Sequence, residues 1–205
     1  MRRLRPCQFG VSLATAVLLL ISSHSAAAQR STLTATRNVA ELTHQAATIV
    51  RGHVVGVRVE PHPELTNLTT VVVTLRVDAT LKGKAGTLLT FRQFVWEQRD
   101  KYEAAGYSKG QELLLLLNPV STYGLTSPAG MEQGKFLITR DAKGNALALN
   151  GHGNVGLFHD VEAQARQRKV QLSVSAATLV QQHQRGAVPL MDLEAVIRQF
   201  AGTAK

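Results

Sequence analysis

The residues most able to do chemistry lie close together near position 155. Gly151-His152-Gly153-Asn154-Val155-Gly156 spells G-x-G-x-x-G, which in a dinucleotide-binding unit lets the backbone approach a pyrophosphate at a helix N-terminus. That chemistry also needs a βαβ unit and an acidic residue about 20 positions further on to hold the ribose. Here the preceding strands read as antiparallel, and no Asp or Glu occurs between Glu162 and Asp192. The glycines therefore read as a loop that turns the chain out of a sheet. The same stretch carries His152, His159 and Asp160. Three such nitrogen and oxygen donors could hold a zinc ion with one position open for water, the constellation of a metal-dependent hydrolase. Their spacing lacks the i, i+4 pair of H-E-x-x-H, which places two imidazoles on one helix face, and exposed loop histidines are the competing reading. Serine chemistry has less to stand on. There is no G-x-S-x-G, and Ser108, before Lys109-Gly110, has no assigned base.

A second stretch interleaves rings with cations: Phe91, Arg92, Phe94, Trp96, Arg99, Lys101, Tyr102 and Tyr107. Such alternation suits a groove for glycans or single-stranded nucleic acid, and Arg92, Phe94, Trp96 and Tyr102 are the candidate ligand-binding residues. An alternating strand also buries its aromatics and solvates its arginines with no ligand at all. Arg166, Arg168 and Lys169 form a further basic cluster.

Both stretches must be positioned by strands. Thr69–Leu81 has a period of two, with Val71, Val73, Leu75, Val77, Ala79 and Leu81 on one face, which predicts one buried and one wet side. Ile49–Val59 is rich in valine but interrupted by Gly52 and Gly56, the mark of a bulge or bend, and Pro61-His62-Pro63 ends it. Thr87–Trp96 follows the turn at Lys82–Gly86. Leu113–Leu117 reads as a strand buried on both faces. Gly134–Arg140 and Ala146–Asn150 flank Asp141-Ala142-Lys143-Gly144-Asn145, a hairpin connection. Helices are expected near the ends only. Asn38 with Glu41 three residues later marks a helix start over about 38–47, Ala176–Gln184 forms a second, and Leu190, Leu193, Ile197 and Phe200 recur at helical spacing after Pro189. Residues 160–170 are charged and show no clear period. Closely spaced strands with terminal helices predict a mainly β fold: a small antiparallel OB-like barrel of five or six strands over 29–160, with a helical extension over 161–205.

The first 28 residues read as an export signal. Arg2, Arg3 and Arg5 precede the apolar run Val11–Ile21, and Ser25-Ala26-Ala27-Ala28 offers the small residues of a cleavage site. The run is shorter than the roughly 20 residues of a membrane span, so the expected product is a processed periplasmic or extracellular protein with no integral membrane segment. The whole chain has a formal charge of +9, with 23 Lys+Arg against 14 Asp+Glu; without Arg2, Arg3 and Arg5 the excess falls to about +6. An excess of that size favours an anionic envelope component over nucleic acid as partner. The single cysteine, Cys7, lies within the signal, which removes disulfides, thiol catalysis and thiolate metal sites from the mature product.

Four segments carry a resemblance. Ala47–Val54, Val73–Val77 leading to Leu81-Lys82-Gly83, Gly110–Leu117, and Gly134-Lys135-Phe136 together resemble a group of uncharacterised exported bacterial β-proteins, over about residues 38–160. The strand order and the Leu-Lys-Gly turn are also similar to the OB-type barrels of netrin-like domains and metalloproteinase inhibitors. Those inhibitors chelate the protease metal through a disulfide-tied N-terminal cysteine, which has no counterpart here, so their mechanism transfers to no residue. The expectation is an exported, non-enzymatic binding module that needs no cofactor and acts on a protein or an anionic envelope component. The alternatives are a metal-dependent hydrolase built on the 151–160 loop and a polyanion-binding envelope protein.

Overall fold

A computed structural model of the chain describes residues 35–95, 101 and 103–202. The expected export signal, Trp96, Arg99 and Tyr102 lie outside the described residues. Residues 36–202 belong to one compact unit.

The chain enters through helix α1 (Val39–Gln45), whose capping box is complete: Asn38 Oδ1 accepts from the Glu41 amide, and Glu41 Oε2 accepts from the Asn38 amide. Strands β1 (Thr48–Pro61) and β2 (Thr69–Lys82) form a long antiparallel pair, followed by β3 (Leu88–Phe94), β4 (Glu112–Leu117), β5 (Lys135–Arg140) and β6 (Ala146–Asn150). Helices α2 (Val161–Gln167) and α3 (Val174–Gln182), the two-residue strand β7 (Val188–Pro189) and helix α4 (Leu190–Ala201) complete the chain. The strands form a single antiparallel sheet in the order β3-β2-β1-β4-β5-β6-β7.

The expected barrel of five or six strands is therefore corrected to an open sheet of seven. β3 and β7 are its edges, and they do not pair with each other. The seventh strand comes from the helical extension, where Val188 and Pro189 pair with Ala148 and Leu147 of β6. Among the described residues the nearest approach to closure is a single parallel bridge, Arg92↔Leu125, in which the Thr126 amide donates to the Arg92 carbonyl at 2.8 Å.

The sheet buries two separate cores. The first lies under the helices and gathers Leu42 of α1, Val161 of α2, Val180 of α3, and Leu193, Ile197 and Phe200 of α4 with Leu114, Leu116, Phe136 and Ile138. The second lies where the other half of the sheet curls on itself, gathering Val50, Val54, Val71, Val73, Leu75 and Phe91 with Leu113, Leu115, Leu117 and Tyr107. β4 is thus buried on both faces, its odd leucines in one core and its even leucines in the other, as a continuous apolar strand requires. The apolar stripe of α4 is fully used: Leu190, Leu193, Val196, Ile197 and Phe200 are all buried. Burial on that scale contributes about 1.5–3 kcal/mol per side chain and makes the extension part of the domain.

β2 departs from its simple alternation. Val71, Val73, Leu75 and Val77 pack in the second core, whereas Ala79 and Leu81 pack in the first. The cause is a bulge: the register steps from Arg51↔Ala79 to Gly52↔Val77, leaving Asp78 as an extra residue. A Cβ at Gly52 would collide with the Arg76 carbonyl oxygen, so the bulge depends on the glycine.

Candidate functional site

The bulge brings together a charged cluster assembled from four strands and a helix. His53 of β1 lies opposite Arg76 of β2 and Glu112 of β4. Its Nδ1 lies 2.7 Å from Asp78 Oδ2, and its Nε2 3.9 Å from Glu112 Oε2. Among the described residues this is the group of His, Asp and Glu side chains whose ligand atoms come within 4.8 Å of one another. Its surroundings fit a dication poorly. Asp78 already faces Arg51 at 4.0 Å and Arg76 at 3.6 Å, and Glu112 faces Arg51 at 3.5 Å and Arg140 at 3.0 Å. Each carboxylate is neutralised by two guanidiniums, which a metal would have to displace. Arg51 also ties the sheet to α4, its Nε donating to Glu194 Oε1 at 2.8 Å. Burial alone would lower the pKa of the Arg51 guanidinium, but the hydrogen bond to Glu194 and the charges of Glu194, Glu112 and Asp78 raise it above its usual value. The cluster therefore acts as a buckle between sheet and helix. Sequence reasoning missed it because its members are up to 143 residues apart and meet only through strand register.

The 151–160 loop holds the residues first singled out. His159 Nδ1 lies 3.1 Å from Asp160 Oδ2 on well-exposed side chains, and the fold does not bring His152 into a ligand set with that pair. What organises the loop is its asparagines. Asn154, wholly buried, donates through Nδ2 to Ala148 O at 2.9 Å and Gly186 O at 2.8 Å, and Asn150 Oδ1 accepts the amides of His152 and Asn154. Gly156 has φ +71 and no room for a Cβ against Thr36. The G-x-G-x-x-G spacing here meets the demands of a tight loop that leaves the sheet.

The aromatic stretch divides. Phe91 and Tyr107 are core residues, packed edge to face with centroids 5.7 Å apart, with Lys135 Nζ 4.8 Å from the Tyr107 ring centroid. Burial pushes the Tyr107 hydroxyl pKa far up, and that hydroxyl donates to Gln93 Oε1 at 3.0 Å. Phe94 is half-buried at the end of β3. Arg92 lies at a cavity of about 350 Å³, in the seam between β3 and the segment that follows β4. The lining combines Arg58, Arg92, Thr90 and Asn118 with apolar Leu89 and Val120. Arg92 is held rigidly: Nη2 donates to Glu60 Oε1 at 2.7 Å and Nη1 to Thr70 Oγ1 at 2.7 Å. Glu60 also accepts from Arg58 Nε at 3.3 Å, and these bonds, that to Arg92 first, hold its carboxyl below the ordinary range.

One wall of this seam is pinned by a histidine. His62 is buried; its Nδ1 accepts the amides of Glu64 and Leu65, which leaves Nε2 to donate to the Tyr123 carbonyl at 2.8 Å. The β1–β2 turn is thereby fastened to the loop after β4. Outside the pinned backbone, Val120 and Tyr123 remain 66% and 55% exposed, an apolar rim beside the cavity. Among the described residues no helix is long and apolar enough to cross a membrane. Comparison of the chain with protein-family models, with curated proteins and with solved structures finds no match.

Proposed function

We propose that the protein is an exported, non-enzymatic binding module that takes its ligand or partner in the seam cavity between β3 and the loop after β4. The observation that carries this reading is the cavity itself, of about 350 Å³. It falls within the range of about 300–1,000 Å³ over which binding sites occur, with the mixed apolar and polar lining such sites have. Among the described residues its lining brings guanidinium, hydroxyl, amide and apolar groups, and the carboxylate beside it, Glu60, is spent on Arg92 and Arg58. That set recognises a ligand better than it moves protons. Export rests on the Arg-rich start, the apolar run and the small residues at 25–28.

The test pairs capture with turnover. Mature protein immobilised on a resin should retain a component of the native envelope fraction. Thr90→Trp or Val120→Glu at the cavity should abolish retention with an unchanged melting temperature, and His159→Ala should not. Hydrolysis of peptide, ester or phosphate substrates that disappears on substitution of His152, His159 or Asp160 would overturn the reading in favour of the hydrolase. Retention indifferent to the cavity variants would overturn the placement.

A further inference from the structure

Two guanidiniums at the cavity share a single carboxylate. Glu60 lies 2.7 Å from Arg92 Nη2 and 3.3 Å from Arg58 Nε, so the described charges there leave an excess of about one positive charge. The two arginines differ in what remains of their hydrogen-bonding capacity. Arg92 spends both terminal nitrogens on Glu60, Thr70 and the Pro61 carbonyl. Arg58 spends only Nε among the described residues, and its two terminal nitrogens, on a side chain 66% exposed, have no partner. An unoccupied guanidinium fork matches the two oxygens of a carboxylate. On the face that Arg58 and Arg92 share with Val72, the cavity also offers Val72 and Val120 to an apolar group. Size limits the occupant, since about 350 Å³ lies at the low end for ligand sites. The bridge at Arg92↔Leu125 occupies the β3 edge at Arg92, so a peptide cannot add to the sheet as a strand at that point.

Resting on the binding function proposed above, we infer that the ligand is a small free carboxylic acid with an apolar tail. Its carboxylate sits in the Arg58 fork, and its tail lies against Val72 and Val120. Glu60 positions the recognition: by holding Arg92 in place and Arg58 through Nε alone, it presents the terminal nitrogens of Arg58 to the ligand.

Isothermal titration of the mature protein with octanoate is the test, run beside 1-octanol, inorganic phosphate, and a four-residue apolar peptide with a free or amidated C-terminus. Octanoate should bind at one saturable site and octanol at least tenfold more weakly. Phosphate should not compete, and both peptides should fail. Arg58→Gln should weaken octanoate at least tenfold without moving the melting temperature, and Arg58→Lys should recover only part of the loss because it lacks the fork. Equal binding of octanoate and octanol, no effect of Arg58→Gln, or preferred binding of the free peptide would each overturn the assignment. If octanoate fails while cavity-dependent envelope capture persists, the ligand class falls and the binding function stands; if capture is also indifferent to the cavity, both fall.

Discussion

The two halves of the sheet are finished in different ways. On the helical side, α1, α2, α3 and α4 cover the sheet, and the large side chains Phe136, Leu157, Leu193 and Ile197 are fully buried. On the other side the sheet curls over Val50, Val73, Leu75 and Leu115, and among the described residues its margins meet through one bridge and a loop. The first core is closed by secondary structure. The second is closed by its own curvature, and where the curvature falls short a cavity remains. Both cores hold fully buried side chains, Leu75 and Leu115 in the second as well as Leu193 and Ile197 in the first, so the two halves differ in how they are closed and not in how deeply they are packed.

That contrast can be broken most severely in the helical core. Leu193→Ala removes a fully buried side chain from α4 and should cost about 2–5 kcal/mol, measured by urea denaturation. Retention of envelope components by the remaining folded fraction should be unaffected. A loss below about 1 kcal/mol would mean that α4 is dispensable to the core. Gly52→Ala should come next, at about 1–3 kcal/mol for forcing a methyl group into the Arg76 carbonyl. Because the bulge places Asp78, this change should also break the 2.7 Å contact with His53, visible as altered imidazole resonances. His62→Ala sharpens the comparison from the other side. It leaves the part-buried amides of Glu64 and Leu65 and the Tyr123 carbonyl without their partner, should cost about 0.5–1.5 kcal/mol, and should speed amide exchange in 118–126 while leaving α4 protected.

The smallest effect is that of pH. Glu60 and Asp141 both titrate below their ordinary values, Glu60 because Arg92 bonds it and Asp141 because Asn145 bonds it. A carboxylate lowered on folding contributes stability above its unfolded pKa and loses that contribution as pH falls through the folded value. Stability should therefore decline slightly below about pH 4.5 in the wild type, and the decline should be shallower in Glu60→Gln and Asp141→Asn.

Local rules carried the sequence reading a long way. The capping box at Asn38, the end of β1 at Pro61, the two-sided burial of Leu113–Leu117 and the 141–145 hairpin are each decided by residues within a few positions of one another. Gly52 announced a bulge, but not that Asp78 would be the extra residue, since that depends on how β1 and β2 align. Register likewise hid the His53, Asp78 and Glu112 cluster. The open sheet was illegible for a different reason: closure depends on strand tilt and stagger, which the period of two does not encode. Arg92 was found as half of an alternating pattern. Its partner Arg58 was not, because they meet through Glu60 across the intervening strand β2. β7 is only two residues long and has no period to detect.

The central claim, that binding takes place at the seam of the curled half, is tested most directly by hydrogen–deuterium exchange of the mature protein with and without the retained envelope component. The account predicts new protection confined to residues 88–94 and 118–126, with the 151–160 loop and the outer face of α4 unchanged. Protection that appears in 151–160 or along α4, and not at the seam, would contradict it.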